Sequence, residues 1–554
     1  MATNYTNTKN LFYSNDRRSP RAYLMGRELA LLCIAAIVLM ITPWAWGGVV
    51  WWATSITLGL SLSMLTIAVG NFRTQVILSA LWGTILAVII CLIITRVIPG
   101  TDEILNIISL PAAALFAQLV GVSLIYDDVL LQPTSEIIKK LFRLVPFWGG
   151  LALFTYFAIQ GINVWGSVTE RDLFWRIFKE PYITWLPNGL NAPFLSDDRD
   201  PGGMNAWRLL LTLAGPWMFF CALQVGLSQR LSYKILSWVS VISATIFGAW
   251  ALNNQFSHGT ILGYSIPGGT ETFGTFINRT HAGVFFYLNV ALAMTLGFCH
   301  FRKKDNSSLK GGPHLIAIFF GVLLVILGII SYSMAVILIL VTSLLLIFPL
   351  AFFIGIPQKS DFKLGPNILL FIMILGLVFG LATTINFKNL ERKINSKIAS
   401  VVVKKENDRA PYARATLAMA TAGGVNGKIW YGWGAGSYRW VSPYFQAQEK
   451  ELTNKDGRLV YRAIYAHNDW LQMVAEWGVV GIIPVFLMVL WFLNLGRKCF
   501  DQGRPELIPL FLIIILLGIH AAIDLLFWFT PLLFLAVFII SMTQFFARDS
   551  GQST

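Results

Sequence analysis

Ala466-His467-Asn468-Asp469-Trp470-Leu471-Gln472-Met473-Val474-Ala475-Glu476-Trp477-Gly478-Val479-Val480-Gly481 joins a long polar segment to an apolar run that continues through residue 495. That run decides the fold. A helix needs roughly 20 predominantly apolar residues to cross a bilayer core. Outward from this stretch, comparable runs recur along the whole chain of 554 residues, which is 56% hydrophobic and only 13% charged. A soluble domain with that balance would expose apolar surface and aggregate. The bilayer core leaves open backbone unsatisfied, so the spans are expected to be helices. The fold class is therefore an all-α, polytopic membrane helix bundle.

The pattern predicts about 14 transmembrane helices. They fall near 28–47, 52–70, 76–99, 105–126, 144–165, 207–228, 234–253, 281–300, 314–332, 334–356, 366–385, 469–495, 506–524 and 527–546. Pro111 interrupts the fourth, which leaves room for a partly re-entrant segment. Four units follow: a cytoplasmic tail at 1–27, amino-terminal membrane helices at 28–253, a second membrane region at 254–546, and a cytoplasmic tail at 547–554. Orientation comes from the short loops. Arg73, Lys139, Lys140, Arg143, Arg230, Lys234, Arg302, Lys303, Lys304, Lys359, Lys363, Arg497, Lys498 and Arg504 fall in alternate connections, which the positive-inside bias makes cytoplasmic. The long loops 166–206, 254–280 and 386–468 then share the outer side. Within the last of these, Phe387, Leu390, Ile394, Ile398 and Val402 alternate with basic residues at helical spacing. This predicts an amphipathic interfacial helix. A second helical stretch is expected from Pro411 to Thr421.

The polar start, with Arg17, Arg18, Arg21 and Arg27, reads as a cytoplasmic anchor rather than a cleavable signal. Cys33, Cys91, Cys221, Cys299 and Cys499 avoid the large outer loops, so no disulfide framework is expected. The net charge of +14 fits positive-inside bias and attraction to anionic membrane lipids. The basic residues are dispersed over membrane loops, and nothing points to nucleic acid.

Chemistry-bearing residues gather at outer loop-to-helix junctions. His467 can act as base or acid near neutral pH, and Asn468 or Asp469 can cap the helix that follows. Gly478 and Gly481 allow close approach of a neighbouring helix. The plain alternative is an interfacial histidine that hydrogen-bonds a loop. In Gly274-Thr275-Phe276-Ile277-Asn278-Arg279-Thr280-His281, Arg279 either snorkels to headgroups or grips a phosphate with its fork. Asp408-Arg409-Ala410-Pro411-Tyr412-Ala413-Arg414 puts two arginines beside a helix start, a favourable place for an anion. The bland reading is a solvated charged loop. His520 and Asp524 form an ionisable pair between the last two spans, costly at that depth unless partnered. Asp197-Asp198-Arg199-Asp200 has enough charge for a divalent cation, with loop solvation the plainer role. No metal-ligand spacing, phosphate-cradling loop or nucleophile elbow is present.

The chain resembles the O-antigen ligase and O-antigen polymerase superfamily of bacterial lipid-linked glycan transferases. The resemblance rests on Gly274-Thr-Phe-Ile-Asn-Arg279-Thr-His281-Ala and on Arg409 before an Ala/Leu-rich helix. It rests also on Gly432-Trp-Gly-Ala-Gly-Ser-Tyr438, on His467-Asn468-x-x-Leu471-Gln472-x-x-x-Glu476-x-Gly478, and on His520-x-x-x-Asp524. These stand in the family's order over residues 254–530. One departure is Ser331-Tyr332-Ser333-Met334, where the family often carries an arginine.

The resemblance implies a metal-independent, cofactor-free, inverting glycosyltransferase in the bacterial cytoplasmic (inner) membrane, its site facing the periplasm. The donor is then a glycan on undecaprenyl diphosphate, and the acceptor a glycan or lipid such as lipid A–core. Arg279 and Arg409 are expected to stabilise the leaving diphosphate, and His467 to act as base. Asn278, His281, Arg414, Asn468, Glu476 and Asp524 are expected to bind substrate. The same chemistry admits a polymerase whose acceptor is a second lipid-linked unit. A flippase for a lipid-linked sugar is a reading of another class, as is a metal-dependent oligosaccharyltransferase. Charges gathered on one face disfavour the flippase, and the absence of acidic residues in the first outer loop disfavours the metal enzyme.

Overall fold

In the computed structural model the protein is an all-α, multi-pass membrane helix bundle. The structure describes residues 26–45, 50–70, 80–91, 104–124, 134–168, 177–178, 180–194, 204–256, 260–261, 264–265, 272–301, 313–355, 409–422, 428–460 and 462–548. The amino-terminal helices are α1 (Gly26–Trp44), α2 (Trp51–Val69), α3 (Ala80–Cys91), α4 (Ile104–Ser123), α5 (Thr134–Phe142), α6 (Val145–Ile162), α7 (Ala206–Gly226) and α8 (Arg230–Phe256). They are followed by α9 (Arg279–Phe301), α10 (Pro313–Ile330), α11 (Met334–Thr342) and α12 (Phe348–Gly355), the last two fused through a π-turn. The remainder is α13 (Ala410–Thr421), α14 (Tyr438–Gln446), α15 (Asp469–Asp501), α16 (Leu507–His520) and α17 (Thr530–Arg548).

Among the described residues, ten helices are long and apolar enough to cross a membrane, and three shorter helices are apolar. Each expected span among the described residues is met by a helix, and α4 runs through Pro111 as one helix. The span expected at 366–385, the amphipathic helix of 387–402 and the Asp197–Asp200 cluster lie outside the described residues. The helix expected from Pro411 is α13, with Pro411 in its first turn. Sequence reading did not anticipate the strands. β1 (Val164–Ser167) pairs antiparallel with β2 (Ile177–Phe178) and parallel with β3 (Gly189–Asn191). β4 (Thr260–Ile261) and β5 (Tyr264–Ser265) form a separate ribbon.

At one end of the bundle, Glu28 of α1 accepts hydrogen bonds from Ser228 N, Gln229 N and the hydroxyls of Ser228 and Ser232 at 2.5–3.2 Å. Arg504 donates to the Phe546 carbonyl at 2.6 Å, and Gln502 to that of Ala547 at 2.7 Å. These contacts join connections that the basic-residue alternation assigns to one side. At the other end the long loops meet. The Trp165 indole donates to the Trp433 carbonyl at 3.0 Å. The Lys428 ammonium reaches Asn188 Oδ1 at 2.8 Å and lies over the Trp165 ring, 4.7 Å from its centroid. Burial lowers the pKa of this amine to about 8.

A break in α15 ties that end to the membrane helices. Gly478 has φ 65° and ψ −177°, which no helix accommodates. In an unbroken helix the carbonyls of Ala475 and Glu476 would accept from the N–H groups four residues on. Here they accept from Trp433 N at 3.1 Å and Gly434 N at 2.9 Å. The released N–H groups of Val479 and Val480 donate to the carbonyls of Ile429 and Trp430 at 2.9 and 3.1 Å. Segment 429–434 is thus inserted into the helix ladder, and the four backbone groups the break releases each find a partner in it. From α6, Tyr156 donates to the carbonyls of Tyr431 and Trp477 at 2.9 and 2.6 Å, bracing the same break. Gly481 brings α15 against the Tyr156 ring, where an added Cβ would lie 2.7 Å from Cε1.

Gly478→Ala tests the insertion. An added Cβ would sit 2.4 Å from the Trp430 carbonyl oxygen, whereas at Gly503, also at positive φ (56°), nothing lies within 4 Å. Backbone strain at the φ and ψ of Gly478 costs a residue with a side chain about 1–3 kcal/mol on its own. Thermal unfolding in detergent should therefore show a clearly larger fall in Tm for Gly478→Ala than for Gly503→Ala. Equal falls would contradict the inserted segment.

Candidate functional site

The site is built on one face of the first two turns of α15. Asn468 caps the helix, its side chain accepting from Leu471 N at 3.0 Å. Asp469, Gln472 and Glu476 follow at spacings of three and four, so they share a face. All three are buried. The Asp469 carboxylate accepts from Leu526 N at 2.6 Å, Phe527 N at 2.9 Å and the Trp528 indole at 2.8 Å. Its own N–H donates to the Ala521 carbonyl at 2.8 Å. Gln472 Oε1 accepts from Ala466 N at 3.0 Å. Glu476 accepts from Gly436 N at 3.0 Å and Tyr438 N at 2.8 Å. One helix face therefore fixes three separate pieces of backbone: the 521–528 loop, the chain just before His467, and the glycine-rich turn.

His467 stands directly before the cap with φ 51°, an uncommon conformation for a residue with a side chain. Its ring Nδ1 faces Asp524 Oδ1 at 3.6 Å. Asp524 lies in the loop between α16 and α17. Its other oxygen faces Arg409 Nη2, also at 3.6 Å, and Arg409 hydrogen-bonds the carbonyl of Ile523. Burial pushes the Asp524 carboxyl up. The His467 ring and the charge of Arg409 outweigh that, aided by His281, and hold it well below the usual carboxylate range. Asp524 is thus an anion with 5% of its side chain exposed, while His467 and Arg409 keep 35% and 47% exposed. The carboxylate is enclosed and its two partners face outward.

His281, in the first turn of α9, is buried against Phe529 with ring centroids 3.7 Å apart. This brings the start of α9 to the loop that carries Asp524. Arg279 is the first residue of α9. Asn278 accepts from Thr280 N at 2.8 Å through its side chain and from His281 N at 3.0 Å through its carbonyl, ordering that turn. Gly283 packs on the 331–336 turn, where Tyr332 has φ 54°. His520 ends α16, its Nδ1 3.4 Å from the Tyr287 hydroxyl.

The structure thus brings His467, Arg409 and Asp524 together, with His281 beside them. Arg414 faces elsewhere: its guanidinium contacts Glu449 at 3.1 Å and also Glu451, on the exposed side of α13. Asn468 and Asn278 order helix starts, and Glu476 holds the 436–438 turn. Asp469 was read from sequence only as a possible cap. Its three donors lie 57–59 residues further on, so no local pattern marks it. Among the described residues, no group of three or more His, Cys, Asp or Glu is arranged to hold a metal ion.

Such an arrangement suits chemistry in which a proton leaves one reactant while negative charge develops on another. Asp524 stands 3.6 Å from Nδ1, just beyond hydrogen-bond distance; a small closure of that gap would favour the tautomer that leaves Nε2 as the basic nitrogen. Arg409 offers a cation beside it, at the start of α13.

No curated protein matches the chain. Residues 319–486 match the family model for O-antigen ligase, a span that includes Arg409, the 432–438 turn and His467. Over that span the chain is similar to the O-antigen ligase family; Arg279 and Asp524 lie outside it.

Proposed function

We propose that this chain is a glycosyltransferase that moves a glycan from undecaprenyl diphosphate to an acceptor hydroxyl of a lipid A–core or other cell-surface glycan. In this reading the site faces the periplasm of the bacterial inner membrane. The observation that carries the proposal is the convergence on Asp524. Arg409 and His467 come from different segments of the long outer loop and meet one buried carboxylate.

Each residue has a physical task. His467 Nε2 accepts the proton of the acceptor hydroxyl as that oxygen attacks the anomeric carbon. The bond from that carbon to the diphosphate oxygen breaks with inversion, and the electron pair leaves with the lipid diphosphate. Arg409 and Arg279 stabilise the charge on the departing group, a task a guanidinium fork performs without a metal ion. Asp524 holds the His467 ring and favours the imidazolium that forms. His281 supports the loop of Asp524 through Phe529. Asn278, Asn468 and Glu476 act through the backbone they order, and Arg414 is the residue with the weakest support for substrate contact. The gathering of these groups at one end of the bundle supports transfer over transport, because a flippase would line a mid-membrane cavity with charge.

Purified protein supplied with a lipid-linked glycan and alternative acceptors tests the proposal by product analysis. A glycan joined to lipid A–core supports the ligase, and a lengthened lipid-linked glycan supports a polymerase instead. Unchanged donor with every acceptor would overturn transfer altogether. His467→Ala should lower the rate by about 10²–10⁴-fold. Arg279→Lys and Arg409→Lys should each lose about a hundredfold, since Lys cannot reproduce the fork. A variant of His467 with wild-type rate would refute its role as base. Activity is expected to survive EDTA in full; a requirement for added Mn²⁺ or Mg²⁺ would point to a metal-dependent transferase.

A further inference from the structure

We infer that Asp469 is a positioning residue that sets Asp524 at the distance from His467 on which the proposed base depends. The inference rests on the proposed function and extends it to a residue that touches neither substrate nor the reacting atoms. The geometry is direct. His467 precedes Asp469 by two residues, so the start of α15 fixes the backbone from which the ring projects. The Asp469 carboxylate takes the N–H groups of Leu526 and Phe527 and the indole of Trp528, while its backbone N–H takes the Ala521 carbonyl. The four partners lie on both sides of Asp524 in the chain. One side chain and its own peptide thus clamp the loop before and after Asp524, and set that loop against His467.

The loop is also held by Arg409, which hydrogen-bonds the Ile523 carbonyl, and by the Trp470 ring of α15, which packs on Phe527 with centroids 5.5 Å apart; neither contact meets the Leu526, Phe527 and Trp528 donors. Asp524 N donates to the His520 carbonyl at 3.1 Å, and Leu525 N to the Asp524 carboxylate at 2.9 Å. Both bonds are local and do not reach α15. Without the Asp469 carboxylate, three donors, two of them in buried bonds, lose their acceptor at once. The loop then shifts or rotates to satisfy them, and the 3.6 Å contact between His467 and Asp524 is the first geometry to go. Misplacement by about 1 Å costs up to about a hundredfold in rate.

A double-mutant cycle on kcat distinguishes positioning from ordinary structural support. Asp469→Asn, Asp524→Ala and the double variant are compared with wild type in the glycan-transfer assay, after matching for folded protein by size-exclusion profile. Asp469→Asn should lower kcat by about tenfold to a hundredfold with little change in the KM for donor. If its effect runs through Asp524, the double variant should be no slower than Asp524→Ala alone. Trp528→Phe, which removes one donor and keeps an aromatic ring, carries the same test where Asp469→Asn fails to fold. Losses that multiply, or a wild-type kcat for the Asp469 and Trp528 variants, would overturn the positioning role. His467→Ala run alongside keeps the two levels apart. An inactive His467→Ala with additive losses overturns the role of Asp469 only, whereas an active one overturns the proposed base on which it rests.

Discussion

Two carboxylates buried on one helix face, Asp469 and Glu476, hold the extramembrane end of this protein together. Burying a carboxylate without a cation is costly unless its oxygens are met by donors. Here the donors include backbone N–H groups and one indole, drawn from the 521–528 loop for Asp469 and from the 436–438 turn for Glu476, which also accepts from the Gln472 side-chain amide at 3.3 Å. Where such a carboxyl is ionised, its bonds are among the stronger hydrogen bonds. They are also mutual: the donors are buried parts of loops with little regular structure of their own. The helix face and the two loops therefore stand or fall as a unit, and His467 sits at its edge.

The insertion of segment 429–434 into α15 extends the same logic. A helix that ran straight through Gly478 would satisfy its own ladder and leave the glycine-rich turn without partners. The break exchanges two helical bonds for four bonds to the turn, and the left-handed Gly432 and Gly478 make the close approach possible. Below the break α15 is an ordinary membrane helix, with Ile483, Phe486 and Leu487 half exposed where lipid would lie. Above it the helix is a scaffold for polar chemistry. The change of character happens within one turn.

Much of this was legible in the sequence where the cause is local. Apolar runs marked the spans, because bilayer thickness sets their length. Asn468 was readable as a cap, since its partner Leu471 is three residues away. Pro411 announced α13. The basic short loops led to an expectation of two distinct ends, and segments at the edges of two long loops meet through Trp165, Lys428 and Trp433. What escaped reading depends on distant partners. Nothing near Asp469 announces donors in the loop after α16, and nothing near Glu476 announces acceptance from Gly436 and Tyr438. The motif residues around His467 were read as candidates for substrate contact, but several of them serve the backbone. Arg414 looks equivalent to Arg409 in sequence, yet the turn of α13 carries it to Glu449 and Glu451. Asp524, expected from its motif to bind substrate, faces both His467 and Arg409.

One electrostatic feature links this scaffold to chemistry. The Asp524 carboxylate faces both the Arg409 guanidinium and the His467 ring at 3.6 Å, so one buried group holds the two in common. A diphosphate arriving near Arg409 would meet a guanidinium still half exposed, and an acceptor would meet a ring already turned. The most direct measurement is a structure of the protein bound to a non-transferable undecaprenyl-diphosphate-linked glycan. The expected result is a diphosphate held between the guanidinium groups of Arg279 and Arg409, with the anomeric carbon on the His467 side. A diphosphate bound away from both arginines, or at the opposite end of the bundle, would contradict it.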